Sequence, residues 1–246
     1  MNILVCISNV PDTTARIQFT GDGKKFDQAG VQFILNPYDE WYALVRALEI
    51  KEKQGGKVTV INVGPAANDI NIRKALAIGA DDAVRVDAEA RDGIFTATQI
   101  ANYAAANDYD LIFTGKETID HNGGEVGAMI AEILDLPFFS NATKLEMEGD
   151  SATVTCDIGG GKESYAVSGS FVLSAAKGLA EQRIPNMRGI MMAKSKPLSV
   201  VEAAEVPEYL ELVRFELPPP KEAVKLIDPE NMNELVKLLH EEAKVI

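Results

Sequence analysis

The sequence predicts an α/β protein built on a doubly wound, mostly parallel sheet, with a small antiparallel extension and an extended C-terminal arm that ends in a helix. Three observations predict it. Short runs rich in Val, Ile and Leu, such as "NILVCIS" (2–8), "KVTVINV" (57–63) and "DLIFTG" (110–115), do not alternate and so suit strands covered on both faces. Between them the apolar residues recur at helical spacing, and strands alternating with helices make a parallel sheet with crossover helices. After Pro137 the period drops to two, which is the mark of an antiparallel meander.

Each element follows from its own pattern. "NILVCIS" reads as the first central strand, and "ARIQFTGDGKKFDQAGVQFIL" (15–35) as a hairpin excursion turning at Gly21 to Gly23. From Asp39 to Gln54 the positions Trp41, Leu44, Val45, Leu48 and Ile50 form a helical face, stopped by Gly55-Gly56. After the strand at 57–63 come a helix over about 69–78, a strand "DAVRVD" (82–87), a helix over about 94–106, the strand at 110–115 and a helix over about 124–134. "NATKLEME", "SATVTCDI", "ESYAVSG" and "SFVLSAA" read as four antiparallel strands joined by turns such as "EGD" and "GGGK". Past Lys177 the periodicity is lost until "PPP" (218–220), a stiff extended stretch. A last helix is predicted over 228–245, with Asp228 as N-cap, Pro229 at the first helical position and an apolar face of Met232, Leu235, Val236, Leu239 and Ala243. A long aperiodic segment suits a surface that packs on another chain.

Composition bounds the function. The 246 residues carry a formal charge of −13, which disfavours nonspecific nucleic-acid binding. Cys6 and Cys156 are far apart and outside any CxxC or Cys/His cluster, so neither a disulfide framework nor a structural zinc site is expected. With no signal-peptide pattern and no apolar run of bilayer length, the expectation is a soluble, cytosolic protein.

In doubly wound sheets, ligands sit beyond the carboxyl ends of the strands. Four such ends matter here: residues 6–8, 36–39, 62–66 and 114–127. In "TGKETIDHNGGEVG", Gly123 and Gly124 let a backbone approach a ligand, and the next helix offers unpaired N–H groups to a phosphate. A plain turn explains the same glycines, since this is neither a Walker A loop nor a GxGxxG fingerprint. Asp120 and His121 are adjacent on a turn, where neighbouring side chains are expected to point in different directions, and no Ser or Cys nucleophile with a paired base can be placed from the sequence. His240 lies on the polar side of the last helix, and "HEE" lacks HExxH spacing.

Four segments together resemble the β (small) subunit of electron transfer flavoproteins: "NILVCISNVPDT", "LNPYDEWYALVRALEIKE", "VGPAANDINIRKALAIGADDAVRV" and "DLIFTGKETIDHNGGEVG". The resemblance extends through "EQRIPNMRGIMMAKSKPL" (181–198) to the Pro-rich tail and so covers nearly the whole chain. It implies an adenine nucleotide α-hydrolase-like fold and a heterodimer in which a larger α subunit holds the redox-active FAD. The β chain then docks the flavin domain and buries one AMP. By position the resemblance puts cofactor contacts on Cys6, Asn36, Pro37, Tyr38, Asp39, Val63, Gly115, Asp120, His121, Asn122, Gly123, Gly124, Glu125 and Val126. It implies a nucleotide-binding domain over 1–177, a partner-recognition loop over 178–200 and an arm over 201–246 that packs on the α subunit. Partner contacts would fall on Met187, Ile190, Met191, Arg183, Arg188 and Asp157, with Met192, Lys194 and Lys196 completing an apolar and basic patch. The implied partners are acyl-CoA or other flavin dehydrogenases and a quinone reductase.

The chain also departs from the pattern. AMP-binding members have an acidic run and Asn-Gln-Thr-Gly where this chain has "HNGGEVG", so a hydroxyl is lost and Glu125 gained. "VPDT" (10–13) and Val126-Gly127 resemble electron-bifurcating relatives, which hold a second FAD in place of AMP. Those have a Thr in the loop and a Pro after Val-Gly, where Gly123 and Ala128 stand here; AMP is the favoured reading. Tyr38 matches an aromatic position near the α-subunit flavin, and Thr13 replaces another. A stand-alone adenine-nucleotide sensor is the rival from another class. An adenylating enzyme of similar fold would need SGGxDS character after the first strand, which "CISNVPDT" lacks.

Overall fold

The computed structural model describes residues 1–221 and 223–246. They group into two compact units, residues 1–17 with 28–211, and residues 18–27 with 212–246. In chain order come β1 (Asn2–Cys6), β2 (Asn9–Pro11), β3 (Phe19–Thr20), β4 (Lys25–Phe26), β5 (Phe33–Leu35), α1 (Asp39–Gln54) and β6 (Lys57–Val63). Next are α2 (Asp69–Ile78), β7 (Asp82–Asp87), α3 (Gly93–Ala105), β8 (Leu111–Gly115) and α4 (Val126–Leu134). Then follow β9 (Phe138–Glu148), β10 (Ser151–Asp157), β11 (Lys162–Ser168), β12 (Phe171–Ala175), α5 (Met187–Ala193), β13 (Leu198–Glu202) and α6 (Met232–Lys237).

The first unit is the expected doubly wound sheet, in the order β11-β10-β9-β12-β8-β1-β6-β7-β13. From β9 to β13 every pairing is parallel, while β9, β10 and β11 form the antiparallel extension of the same sheet. Apolar runs become strands buried on both faces because alternate side chains feed two cores. Ile3, Val5, Val58, Val60, Leu111 and Phe113 pack with α1 and α2, and Leu4, Ile61, Ile112 and Val172 with α3 and α4. In the second unit β3 pairs with β4, Phe19 stacks on Phe215 at 4.9 Å, and the Phe215 N–H donates to the Gly23 carbonyl at 2.8 Å.

Four expectations are corrected. "SFVLSAA" is not an antiparallel strand: β12 lies between β8 and β9, parallel to both and buried throughout, as its unbroken apolar run suits. The stretch after Lys177 is not aperiodic throughout, since α5 and the edge strand β13 interrupt it; β13 is short and half exposed, so its apolar signal is weak. The last helix is shorter than predicted. Asp228 accepts from Glu230 N and so closes a turn, while Asn231 caps α6, which passes into a π-helical turn at Leu238–Glu242. Finally, α4 starts at Val126, not Gly124.

Helix α5 is clasped onto α2. Arg73 donates to the carbonyls of Ala193 (2.6 Å) and Lys196 (2.8 Å), and Lys196 Nζ donates to the carbonyls of Leu76 and Ala80 at the end of α2. Lysine at a helix C-terminus satisfies carbonyls that lack helical partners. Gly189 lies so near the Ala77 carbonyl oxygen that a Cβ there would approach it to 2.3 Å. Gly189→Val should therefore lower unfolding stability by about 1–3 kcal/mol, the range of overpacking. It should also speed proteolysis within 184–197, and denaturation and cleavage kinetics matching the parent chain would refute the close packing.

Candidate functional site

The chain leaves β1 outward through β6 and β7, then returns to β8 on the other side of β1. Connections from β1 and β8 therefore diverge, and ligands of doubly wound sheets occupy such crevices. A cleft of about 600 Å³ opens here, within the roughly 300–1,000 Å³ usual for small-molecule sites. Its walls include Cys6, Val63, Gly115, Asp120, His121, Gly123, Gly124, Glu125 and Val126. Asn36, Pro37, Tyr38, Asp39 and Asn122 are not among the residues lining it.

The loop after β8 corrects one expectation: Asp120 and His121 do not point apart, since His121 Nε2 lies 3.9 Å from Asp120 Oδ2 and His121 N donates to Asp120 Oδ1 at 2.8 Å. The loop is shaped by its own backbone. Thr118 N donates to the Gly123 carbonyl at 3.2 Å and Asn122 N to the Thr118 carbonyl at 2.9 Å, with Asn122 left-handed at φ 50°. A Cβ on Gly124 would meet the Lys116 carbonyl oxygen at 3.0 Å, so the glycine permits a close turn. Glu125 turns toward α3: a Cβ on Gly93 would lie 2.4 Å from Glu125 Oε1. The carboxylate thus sits at the partly positive start of α3, where Asp92 caps the helix by accepting from Phe95 N at 2.6 Å.

Beneath the loop lies Asn36, fully buried, whose Nδ2 donates to the Glu117 carbonyl at 2.9 Å and whose Oδ1 accepts from Ile119 N at 3.0 Å. The following Pro37-Tyr38-Asp39 is a γ-turn closed by Asp39 N donating to the Pro37 carbonyl at 3.0 Å. Tyr38 at its apex has φ 66° and ψ −91°, a rare and strained conformation, and its ring is exposed. Burial raises the Asp39 carboxyl, against the lowering effect of Lys116.

Several lining residues carry no obvious sequence signal. Glu40, one residue past the turn, is 5 % exposed and accepts from Ser8 N and Ser8 Oγ, both at 2.6 Å. Burial pushes its carboxyl up to about 8; the Ser8 hydrogen bonds oppose this, and the nearby Asp120 and Asp39 charges add to it. Burial, helped by Glu40, also drives the Cys6 thiol far up and leaves it inert. One wall is a relay of amides. Asn71 donates to Asn9, Asn9 to Asn68 at 2.7 Å, Asn68 to Asn62 at 2.9 Å and Asn62 to the Ile7 carbonyl at 2.8 Å. Arg91 brings a cation to the cleft, stacked 4.4 Å over the Phe95 ring, donating to the Val206 carbonyl and flanked by the carboxylates of Asp92 at 3.8 Å and Glu208 at 3.7 Å. Its position after β7, just before the Asp92 cap, is the clue a sequence could have offered.

The profile of the family described as "Electron transfer flavoprotein domain" matches residues 24–206. The chain belongs to the electron transfer flavoprotein family. It is 37 % identical to the electron transfer flavoprotein subunit beta of Bacillus subtilis (strain 168), over the whole of both chains. The protein of the same name in Syntrophomonas wolfei is 36 % identical, covering 93 % of this chain and 90 % of that one. That of Mus musculus is 31 % identical over 100 % and 99 %.

In this electron transfer flavoprotein chain, the residues expected to meet partners lie apart from the cleft walls. Met187, Ile190, Met191 and Met192 are exposed on α5, beside exposed Ile184. Arg188 and Lys194 are exposed as well. Arg183 is committed internally, bidentate to Glu52 at 2.5 and 2.9 Å, and its carbonyl accepts from Trp41 Nε1 at 3.0 Å. Asp157 ends β10 and accepts from Gly159 N at 3.1 Å. Among the described residues no helix is long and apolar enough to cross a membrane, and no cluster of three or more His, Cys, Asp or Glu could hold a metal ion.

Glu40 generates a pH prediction. Its folded carboxyl titrates near 8 against an ordinary 4.5, so between these values the folded chain holds a proton that the unfolded chain has released. Stability must fall as pH rises through that window, by at most about 1.4 kcal/mol per pH unit from this group. Glu40→Gln should flatten the decline, since its amide can still accept from Ser8 N. Denaturation midpoints from pH 5 to 8 measure the slope, and equal slopes in both proteins would contradict the assignment.

Proposed function

We propose that the chain is the β subunit of a heterodimeric electron transfer flavoprotein. In this reading the complex takes electrons from flavin dehydrogenases, acyl-CoA dehydrogenases among them, and passes them to a quinone reductase and the respiratory quinone pool in the cytoplasmic compartment. The β chain performs no bond chemistry. FAD, held mainly by the α subunit, supplies the redox centre, and the β chain offers Tyr38 at that interface, a docking face on α5 and a structural AMP in the cleft. The arm over 201–246 packs on the α subunit, and Asp157 helps to restrain the flavin domain. The observation that carries the reading is the cleft at the strand-order reversal, walled by the glycine loop and the start of α4, in a chain of this family.

The residues present fit an adenylate. Gly123 and Gly124 admit close approach, the first N–H groups of α4 suit a phosphate, and Arg91 supplies a positive charge that Asp92 and Glu208 partly offset. Glu125 also lines the cleft, with Oε1 toward the start of α3 and Oε2 toward Gly123, and its charge opposes an anion. Bound at several hundred times its dissociation constant, AMP would stabilise the chain by about 3–4 kcal/mol through linkage. A second reading places FAD in the cleft, as in electron-bifurcating relatives, and draws on its reach from Gly124 and Arg91 to Gln28 and Phe33.

Coexpression with an α subunit, then denaturation and quantification of released nucleotides, separates these readings. One FAD and one AMP per complex is expected; two FAD and no AMP would replace the first reading by the second, and an empty cleft would remove both. Gly124→Val should reduce AMP retention at least several-fold, because the side chain would crowd both Lys116 and the phosphate space. Conversely, Glu125→Gln should tighten AMP roughly fivefold, about 1 kcal/mol, by removing a neighbouring negative charge; weaker binding would put Glu125 in the role of a structural support. Met187→Ala should slow electron transfer from the dehydrogenase while leaving AMP content unchanged. Unaltered partner kinetics would move the docking face away from α5.

A further inference from the structure

The cleft loop and the Tyr38 turn share one enclosed side chain. Both functions of the Asn36 carboxamide are spent on the same loop, at Glu117 O and Ile119 N, and its own N–H donates to the Ser8 carbonyl at 3.1 Å. Glu117, Thr118, Asp120, Gly123 and Gly124 from that loop line the cleft. The strained turn begins at the very next residue. A non-glycine residue at φ 66° and ψ −91° persists only where its surroundings over-determine it. On one side the constraint is the first turn of α1, where Tyr42 N donates to the Tyr38 carbonyl at 2.8 Å. On the other side it is Asn36, and the Asp39 carboxyl also meets the loop directly, beside the Glu117 backbone N–H and Lys116.

We propose that Asn36 is a positioning residue that couples occupancy of the cleft to the presentation of Tyr38. An adenine nucleotide seated against residues 117–124 holds the Glu117 carbonyl and the Ile119 amide in place. These fix the Asn36 carboxamide, and Asn36 in turn holds the turn that displays the Tyr38 ring. The coupling rests on the nucleotide reading of the cleft. Coupling of this kind is reciprocal, so whatever holds Tyr38 in place also raises affinity for the nucleotide by the same factor. A bound adenylate that never reacts thereby acts on the surface offered to the flavin-bearing partner.

Amide hydrogen exchange on the full chain, with AMP as the probe, tests this. Saturating AMP should slow exchange of the Ile119 and Asp39 amides together, each about tenfold and with the same half-saturating concentration. Because the Asp39 carboxyl also meets Glu117, Asp39→Ala separates the two routes: the amide at position 39 should still respond to AMP, and a lost response would put the coupling on the Asp39 carboxyl. In Asn36→Ala, AMP should still bind by calorimetry while the Asp39 response disappears. An Asp39 amide that ignores AMP in the parent chain, or that responds equally in the variant, overturns the coupling. If Asn36→Ala does not fold by circular dichroism, the Asp39→Ala response decides. If calorimetry detects no AMP binding to the parent chain, the nucleotide reading is what fails. The tie is then judged without ligand: Asn36→Ala must speed Asp39 exchange, and unchanged exchange overturns it.

Discussion

A parallel sheet covered on both faces has little freedom in where it puts its variable residues. With Ile3, Val5 and Phe113 feeding one core and Leu4, Ile61 and Ile112 the other, the central strands carry few polar residues, and those they do carry, such as Thr59 and Asn62 on β6 and Arg85 on β7, are tied up by internal hydrogen bonds. Polar and glycine residues are pushed to the strand ends, and parallel order gathers all the carboxyl ends on one side. The reversal of strand order at β1 then separates the β1 and β8 connections, and the cleft is the space left between them. Double-sided burial thus locates the site before any particular side chain is considered.

The cleft's electrostatics look ill suited to an anion, since Glu40, Glu117, Asp120 and Glu125 line it on a chain of charge −13. Geometry reduces the conflict. Burial keeps the Glu40 carboxyl protonated at neutral pH, despite the Ser8 hydrogen bonds that favour its charged form. Asp92 is consumed as a helix cap, and Glu125 rests at the start of α3, where the helix dipole favours negative charge. Formal charge counted from sequence therefore overstates the negative potential inside.

Strand ends and the glycine loop were legible because their signals are local: apolar runs that stop, followed by Gly, Asn or Asp. Nine of the fourteen residues assigned to the cofactor by resemblance line the cleft, and all nine sit at such strand ends, on the loop after β8 or, for Val126, at the start of α4. Asn36 and Glu40 were harder to place. Position 36 was picked out, but its carboxamide faces the loop from beneath, and the meaning of Glu40 depends on Ser8, thirty-two residues earlier. Burial and long-range hydrogen bonds give these polar residues their roles, and neither leaves a period in the sequence. β12 was misjudged for a related reason: "FVLSA" follows three antiparallel strands, and only its neighbours β8 and β9 show it to be a buried parallel strand.

The α5 surface illustrates how the same chemistry can serve display and not contact. Counting Arg183, Arg188, Lys194 and Lys196 suggests a patch that steers an acidic partner, yet two of these cations are spent inside the chain. Arg183 is paired with Glu52, and Lys196 caps α2, where burial holds its ammonium below the ordinary lysine value. Arg73 adds a third internal tie, to the carbonyls of Ala193 and Lys196. These bonds hold the backbone of a seven-residue helix that could not persist alone, because a helix this short does not offset its own nucleation. The methionines are then free to face outward on a fixed frame, so the surface offers adaptable apolar contact more than charge. Long-range steering, where it occurs, falls to Arg188 and Lys194, and its strength should be correspondingly modest and screened by salt.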